Sequence, residues 1–102
     1  MSAKSRCYRL SPLAEGDLED IWVYSLQNWS LEQADKYQVD LVDAIQMLAE
    51  GDKKGRVTDE IRPGYLKYAV GRHFVFYQIT DDHLDVVRIL HKQMDVSAYF
   101  RD

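Results

Sequence analysis

From Ser11 to Glu50 the apolar residues recur at helical spacing, and from Tyr65 to His91 the chain reads as extended strands. Helices grouped before strands point to an α+β domain rather than to the alternating βαβ pattern of a parallel sheet. Ser11 followed by Pro12 marks the first helix start, the serine as N-cap and the proline at the first helical position. Ala14, Leu18, Ile21, Trp22, Ser25 and Trp29 then fall on one stripe. Glu15, Asp17, Glu19 and Asp20 crowd the first turns, where the helix dipole favours acids. Ser30 opens a second helix with Gln33 as its capping-box partner, and Ala34, Tyr37, Leu41, Ile45 and Leu48 form its apolar stripe. So short a break, Asn28–Ser30, predicts antiparallel neighbours. Trp22 and Trp29 are expected to pack this hairpin onto a sheet, with a partner anchor as the alternative for Trp29 at the hairpin tip.

A short strand precedes the helices: in "SRCYRLS", Tyr8 and Leu10 share one face and Cys7 and Arg9 the other. "GDKKG" ends the second helix as a polar turn. "YLKYAVGRHFVFYQIT" is aromatic and β-branched, with Gly71 as a turn or bulge; "RPGYLKY" reads as one strand or as a loop plus a strand. "DDH" is a tight turn and "LDVVRILH" a further strand. The tail "DVSAYF" has room for no more than a helical turn or a docked end. The expected fold is one domain over residues 1–102, β-α-α-β-β-β, a helical hairpin on one face of a small antiparallel sheet. "HFVFYQI" and "LDVVRIL" are more apolar than one buried face requires, which predicts a surface that meets a partner chain.

Charge adds a direction to that surface. Residues 1–52 carry four basic against ten acidic side chains, whereas residues 53–92 carry eight against five and all three histidines. A mildly basic back half suits an acidic partner, while the net charge of −4 disfavours a generic nucleic-acid binder. Cys7 is the single cysteine, so no disulfide framework is expected. His73 and His83 lack cysteine or carboxylate companions at metal-ligand spacing, and neither metal nor cofactor is predicted. With no apolar run long enough for a bilayer and no secretory h-region, the expected location is the cytoplasm.

The opening "LSPLAEGDLEDIWVY" and, more specifically, "RPGYLKYAVGRHFVFYQI…VVRILHKQMD" resemble the ParE branch of the RelE/ParE superfamily of toxins, over roughly Tyr8 to Phe100. The resemblance implies the toxin of a type II toxin–antitoxin module, held silent in a hetero-oligomer by a ParD-like antitoxin. It also implies inhibition of DNA gyrase, through its A subunit, by binding rather than catalysis, with no sequence-specific contact to nucleic acid. RelE relatives share the fold but cut mRNA in the ribosome, and a third reading is an inactive member that only binds antitoxin. Fold alone does not choose among these.

A nuclease needs a base, an acid and cations around the phosphorane. His91 and Tyr99 would serve in proton transfer, with Arg72 and Arg88 on the phosphate and Arg62, Lys67 and Lys92 adding charge. Against that stand the modest basicity of the back half and a plainer account of His91, as a strand-edge histidine bonded to backbone or packed on the tail. The second account is preferred. Arg72, Arg88, His91, Lys92, Tyr99 and Phe100 are then the rim expected to contact target or antitoxin. Arg88, between Val87 and Ile89, is either a cation on the open face or an arginine paired with a nearby acid such as Asp85.

Overall fold

The structure, a computed structural model, describes residues 6–58 and 62–95. Strand β1 (Cys7–Leu10) leads into helices α1 (Pro12–Asn28) and α2 (Leu31–Glu50), followed by β2 (Arg56–Val57), β3 (Leu66–Val70), β4 (His73–Ile79) and β5 (His83–His91). The strands form one sheet in the order β1-β5-β4-β3-β2. From β2 to β5 every pairing is antiparallel, but β1 lies parallel to β5, with Tyr8 opposite Leu84. The sheet is therefore mixed, because the helical hairpin is the crossover that carries the chain from β1 back over the sheet. "RPGYLKY" resolves as a turn around Pro63–Gly64 before β3 begins at Leu66.

The caps behave as their residues require. Ser11 accepts the Ala14 amide at 3.0 Å and Ser30 the Gln33 amide at 3.1 Å, which satisfies amides that the first helical turn leaves open. Gly51 closes α2 at φ 87°, the left-handed conformation that glycine adopts without strain. Leu18 of α1 and Leu41, Ile45 and Leu48 of α2 bury against Val75, Tyr77, Leu84, Val86 and Ile89. This layer of side chains between hairpin and sheet is the main core, and Phe76 and Leu90 are buried outside it.

One irregularity in β5 decides which residues reach the helices. Phe76 lies opposite Arg88 but Tyr77 lies opposite Val86, so Val87 is an extra residue, a β-bulge. Before it Leu84 and Val86 face the hairpin; after it the alternation shifts, so that Ile89 and His91 do. Arg88 and Leu90 fall on the opposite face beside Phe76 and Phe74. Ser11 pins the bulge, since its amide donates to Val86 O at 3.0 Å and its hydroxyl to Val87 O at 2.8 Å. The residue that caps α1 thereby also sets the register of the last strand.

Among the described residues no helix is long and apolar enough to cross a membrane.

Candidate functional site

The C-terminal part of α1, the start of α2, the β3–β4 turn and the end of β5 enclose a cleft of about 600 Å3. Tyr24, Trp29, Tyr37, His73, His91 and Met94 supply its aromatic and apolar walls, and Asp20 and Arg72 its charged edges. Trp29 caps the C-terminus of α1 and is 53% exposed. The expectation that Trp29 packs the hairpin onto the sheet is therefore corrected. Its place at the helix junction turns the indole outward, where the Arg72 guanidinium lies 5.3 Å above the ring, a cation–π geometry. Trp22 does lie half-buried, and its indole N–H donates to Asp35 of α2 at 2.9 Å. It ties helix to helix.

Tyr37 organises the floor of the cleft. Its hydroxyl lies 3.0 Å from Val70 O, 3.0 Å from the Arg72 amide and 2.7 Å from His73 Nδ1. A phenol has one proton and two acceptor positions. All three contacts are satisfied together only if the hydroxyl donates to Val70 O and accepts from the Arg72 amide and from His73 Nδ1–H. That arrangement leaves His73 Nε2 as a lone pair. Burial, reinforced by the neighbouring His91, lowers the His73 pKa to about 4, and burial raises that of Tyr37. Gly71 makes the close approach possible. It sits at φ 54°, and a Cβ there would come within 2.7 Å of the Tyr37 ring. In the two-residue turn between β3 and β4, glycine is at the position that favours positive φ.

His91 lies directly across from His73 in the β4–β5 ladder, the rings edge to face at 5.2 Å. Its Nδ1 accepts the Gln93 amide at 3.1 Å, so the neutral ring carries its proton on Nε2. Arg88 pairs not with Asp85 but with Asp17 of α1, both carboxylate oxygens engaged at 2.7 and 2.8 Å. Asp85 instead holds Arg9 of β1 at 2.7 Å, and the Arg9 hydrogen bond keeps the Asp85 carboxyl below its usual range. Of the two readings of Arg88, pairing with an acid is the one seen, but the acid is Asp17, 71 residues away in sequence, and not the local Asp85.

The expected rim therefore divides. Arg72 and His91 meet at the cleft. Lys92 lies with Lys67 on the other face of the sheet, their ammonium groups 5.4 and 4.6 Å from the Phe74 ring centre. Arg88 is drawn to the sheet edge by Asp17. Tyr99 and Phe100 lie outside the described residues. Sequence reading missed Tyr24, Tyr37, His73 and Asp17 as members of this neighbourhood. Tyr37 stood out only as one member of an apolar stripe, and Asp17 as one helix-start acid among several. Among the described residues no three His, Cys, Asp or Glu side chains are grouped to hold a metal ion.

A helical hairpin packed on a mixed sheet has a counterpart among solved structures. A solved structure described as the chromosomal ParDE TA system from P. aeruginosa matches it with a TM-score of 0.76 over 87% of this chain and 98% of that chain, at 17% sequence identity. The family profile described as ParE toxin of type II toxin-antitoxin system, parDE, matches residues 8–96. Toxin ParE1 of Mycobacterium tuberculosis is 46% identical over 90 residues, 87% of this chain and 92% of the relative. Toxin ParE1 of Caulobacter vibrioides is 41% identical over 92 residues, covering 90% and 95%. The chain belongs to the ParE toxin family of type II toxin–antitoxin systems.

Proposed function

We propose that this toxin acts in the cytoplasm by binding DNA gyrase, through its A subunit, and that a ParD-like antitoxin docked along hairpin and sheet in a hetero-oligomer silences it. The observation that carries a binding rather than a catalytic role is the engagement of the groups a nuclease would need. His73 Nδ1 is held by Tyr37 and His91 Nδ1 by the Gln93 amide. A histidine with a pKa near 4 is a weak base at neutral pH. Neutral His91 presents an N–H where a base needs a lone pair. Arg88, a cation assigned to the phosphate, is joined through Nε and Nη2 to both carboxylate oxygens of Asp17. What the cleft does offer is Trp, Tyr and Arg, the residue types that dominate binding energy at interfaces. An acid-rich antitoxin segment would also complement the basic back half and be captured faster for it.

The test is a supercoiling assay with the purified chain, gyrase, ATP and relaxed plasmid, with and without antitoxin. Gyrase-bound linear DNA that accumulates with toxin and is relieved by antitoxin is the expected result. An unaffected gyrase, together with cut mRNA in a translation extract, would replace this reading with a ribosome-dependent nuclease.

A further inference from the structure

Helix α1 has two working flanks, one on either side of its inward stripe of buried Ala14, Leu18 and Ser25 and half-buried Ile21. At 3.6 residues per turn, Asp17, Asp20 and Tyr24 project roughly 70–130° to one side, where Asp20 and Tyr24 line the cleft. Glu15, Glu19 and Trp22 project roughly 70–130° to the other side. There, with Leu10, Leu18 and Gln38, they line a separate open groove of about 490 Å3. Its chemistry is one-sided. Leu10 and Leu18 supply an apolar floor, and Trp22 an aromatic face held in place by the 2.9 Å bond from its N–H to Asp35. The Glu15 and Glu19 carboxylates beside them are acceptors, and Gln38 adds an amide oxygen alongside its NH2.

Glu15 and Glu19 are exposed, one turn apart, and among the described residues neither carboxylate has an ion-pair or hydrogen-bond partner. Like charges at that spacing repel. The Gln38 Oε1 atom is shielded from solvent and has no hydrogen-bond partner. Its terminal torsion is soft, so a donor entering the groove can supply the bond that the fold withholds.

We propose that this groove is a docking site for an arginine side chain, presented between apolar residues by a protein partner. An arginine suits each feature in turn. Its methylene stem covers Leu10 and Leu18, and its planar guanidinium stacks on a fixed indole. The five N–H donors fork between two carboxylates and an amide oxygen, a geometry that a lysine ammonium does not reproduce. Charge complementarity fixes the sign of the occupant: the groove repels phosphate, and the acidic hairpin around it extends the attraction beyond contact distance. The site is independent of the cleft and of whether gyrase is the target.

The test uses the full chain and two short capped peptides, Leu-Arg-Leu and Leu-citrulline-Leu, which differ in the charge of one side chain. Two tryptophans give two indole N–H resonances, assigned with Trp29→Phe. The Trp22 resonance is expected to shift saturably with the arginine peptide, at least about tenfold more weakly with the citrulline one, while the Trp29 resonance stays put. Glu15→Gln with Glu19→Gln abolishes the response without lowering the thermal midpoint. Equal responses to the two peptides, a shift confined to Trp29, or an unchanged response in the double variant would overturn the assignment.

Discussion

Asp17 of α1 closes the open edge of β5: it accepts from Nη2 and Nε of Arg88 and from the Ile89 amide, at 2.7, 2.8 and 2.9 Å. Strand β1 pairs with β5 only as far as Val86, so beyond that point the edge needs a substitute partner. Both side chains of the pair are largely buried, 15% and 11% exposed. Asp17→Ala strands a guanidinium and an amide together. It is expected to cost about 3 kcal/mol, the low end for a broken buried pair because some water still reaches both groups. Urea unfolding of the variant measures this, and a loss below about 1 kcal/mol would mean that the edge is held by something else.

Tyr37 and Gly71 form a second coupled pair. Tyr37→Phe removes the acceptor for the Arg72 amide and for His73 Nδ1–H, and should destabilise by about 1–2 kcal/mol. Gly71→Ala must hold an L side chain at positive φ and push its Cβ against the Tyr37 ring, at a cost of about 2 kcal/mol or more. Because the two residues touch, the double variant should lose less than the sum of the single changes. Additive losses in a double-mutant cycle would show that ring and turn are not coupled.

The helices, their caps and the hairpin connection were legible because each rests on local chemistry: Ser11-Pro12, Ser30 with Gln33, and Gly51. The strands were legible from their composition. The parallel β1–β5 pairing was not, since strand direction is set by where the helical crossover returns the chain. The site was legible only in pieces. Simple alternation along "LDVVRILH" puts Arg88 on the same face as Leu84 and Val86. The bulge at Val87 reverses that, and its anchor Ser11 lies 76 residues away. Trp29 belonged to the helical stripe by spacing, yet the helix ends on it and the stripe loses its direction there.

Stability should depend on pH through His73. Its folded pKa of about 4 lies below the ordinary 6.5, so the unfolded chain takes up the proton first. The contribution is complete above about pH 6.5 and is lost as the pH falls toward 4. Around it, His91 and Lys92 disfavour the imidazolium and Asp17 partly offsets them, while burial dominates. With the ring only half-buried, about 1–2 kcal/mol is expected between these limits. Asp85, held low by Arg9, adds a loss in the same direction at lower pH. His73→Gln should flatten the slope between pH 6.5 and 4, whatever its effect at neutral pH. An unchanged slope in urea titrations would assign the dependence to other groups.

Trp29 and Arg88 should separate binding from folding. Trp29→Ala deletes an exposed ring that the core does not use, so the unfolding free energy should move by no more than about 0.5 kcal/mol. If the cleft holds the partner's anchor, the same change removes an interfacial hot spot of about 2 kcal/mol, roughly a thirtyfold loss of affinity. Arg88→Ala should behave in the opposite way. It leaves Asp17 without its cation, so any drop in growth arrest should follow the fraction of folded toxin rather than a lost contact. Measuring arrest, antitoxin affinity and urea midpoint for both variants tests the division. A Trp29→Ala toxin that binds and arrests like the parent would take the cleft out of the interface. An Arg88→Ala toxin that folds normally but no longer arrests growth would return that arginine to the contact surface.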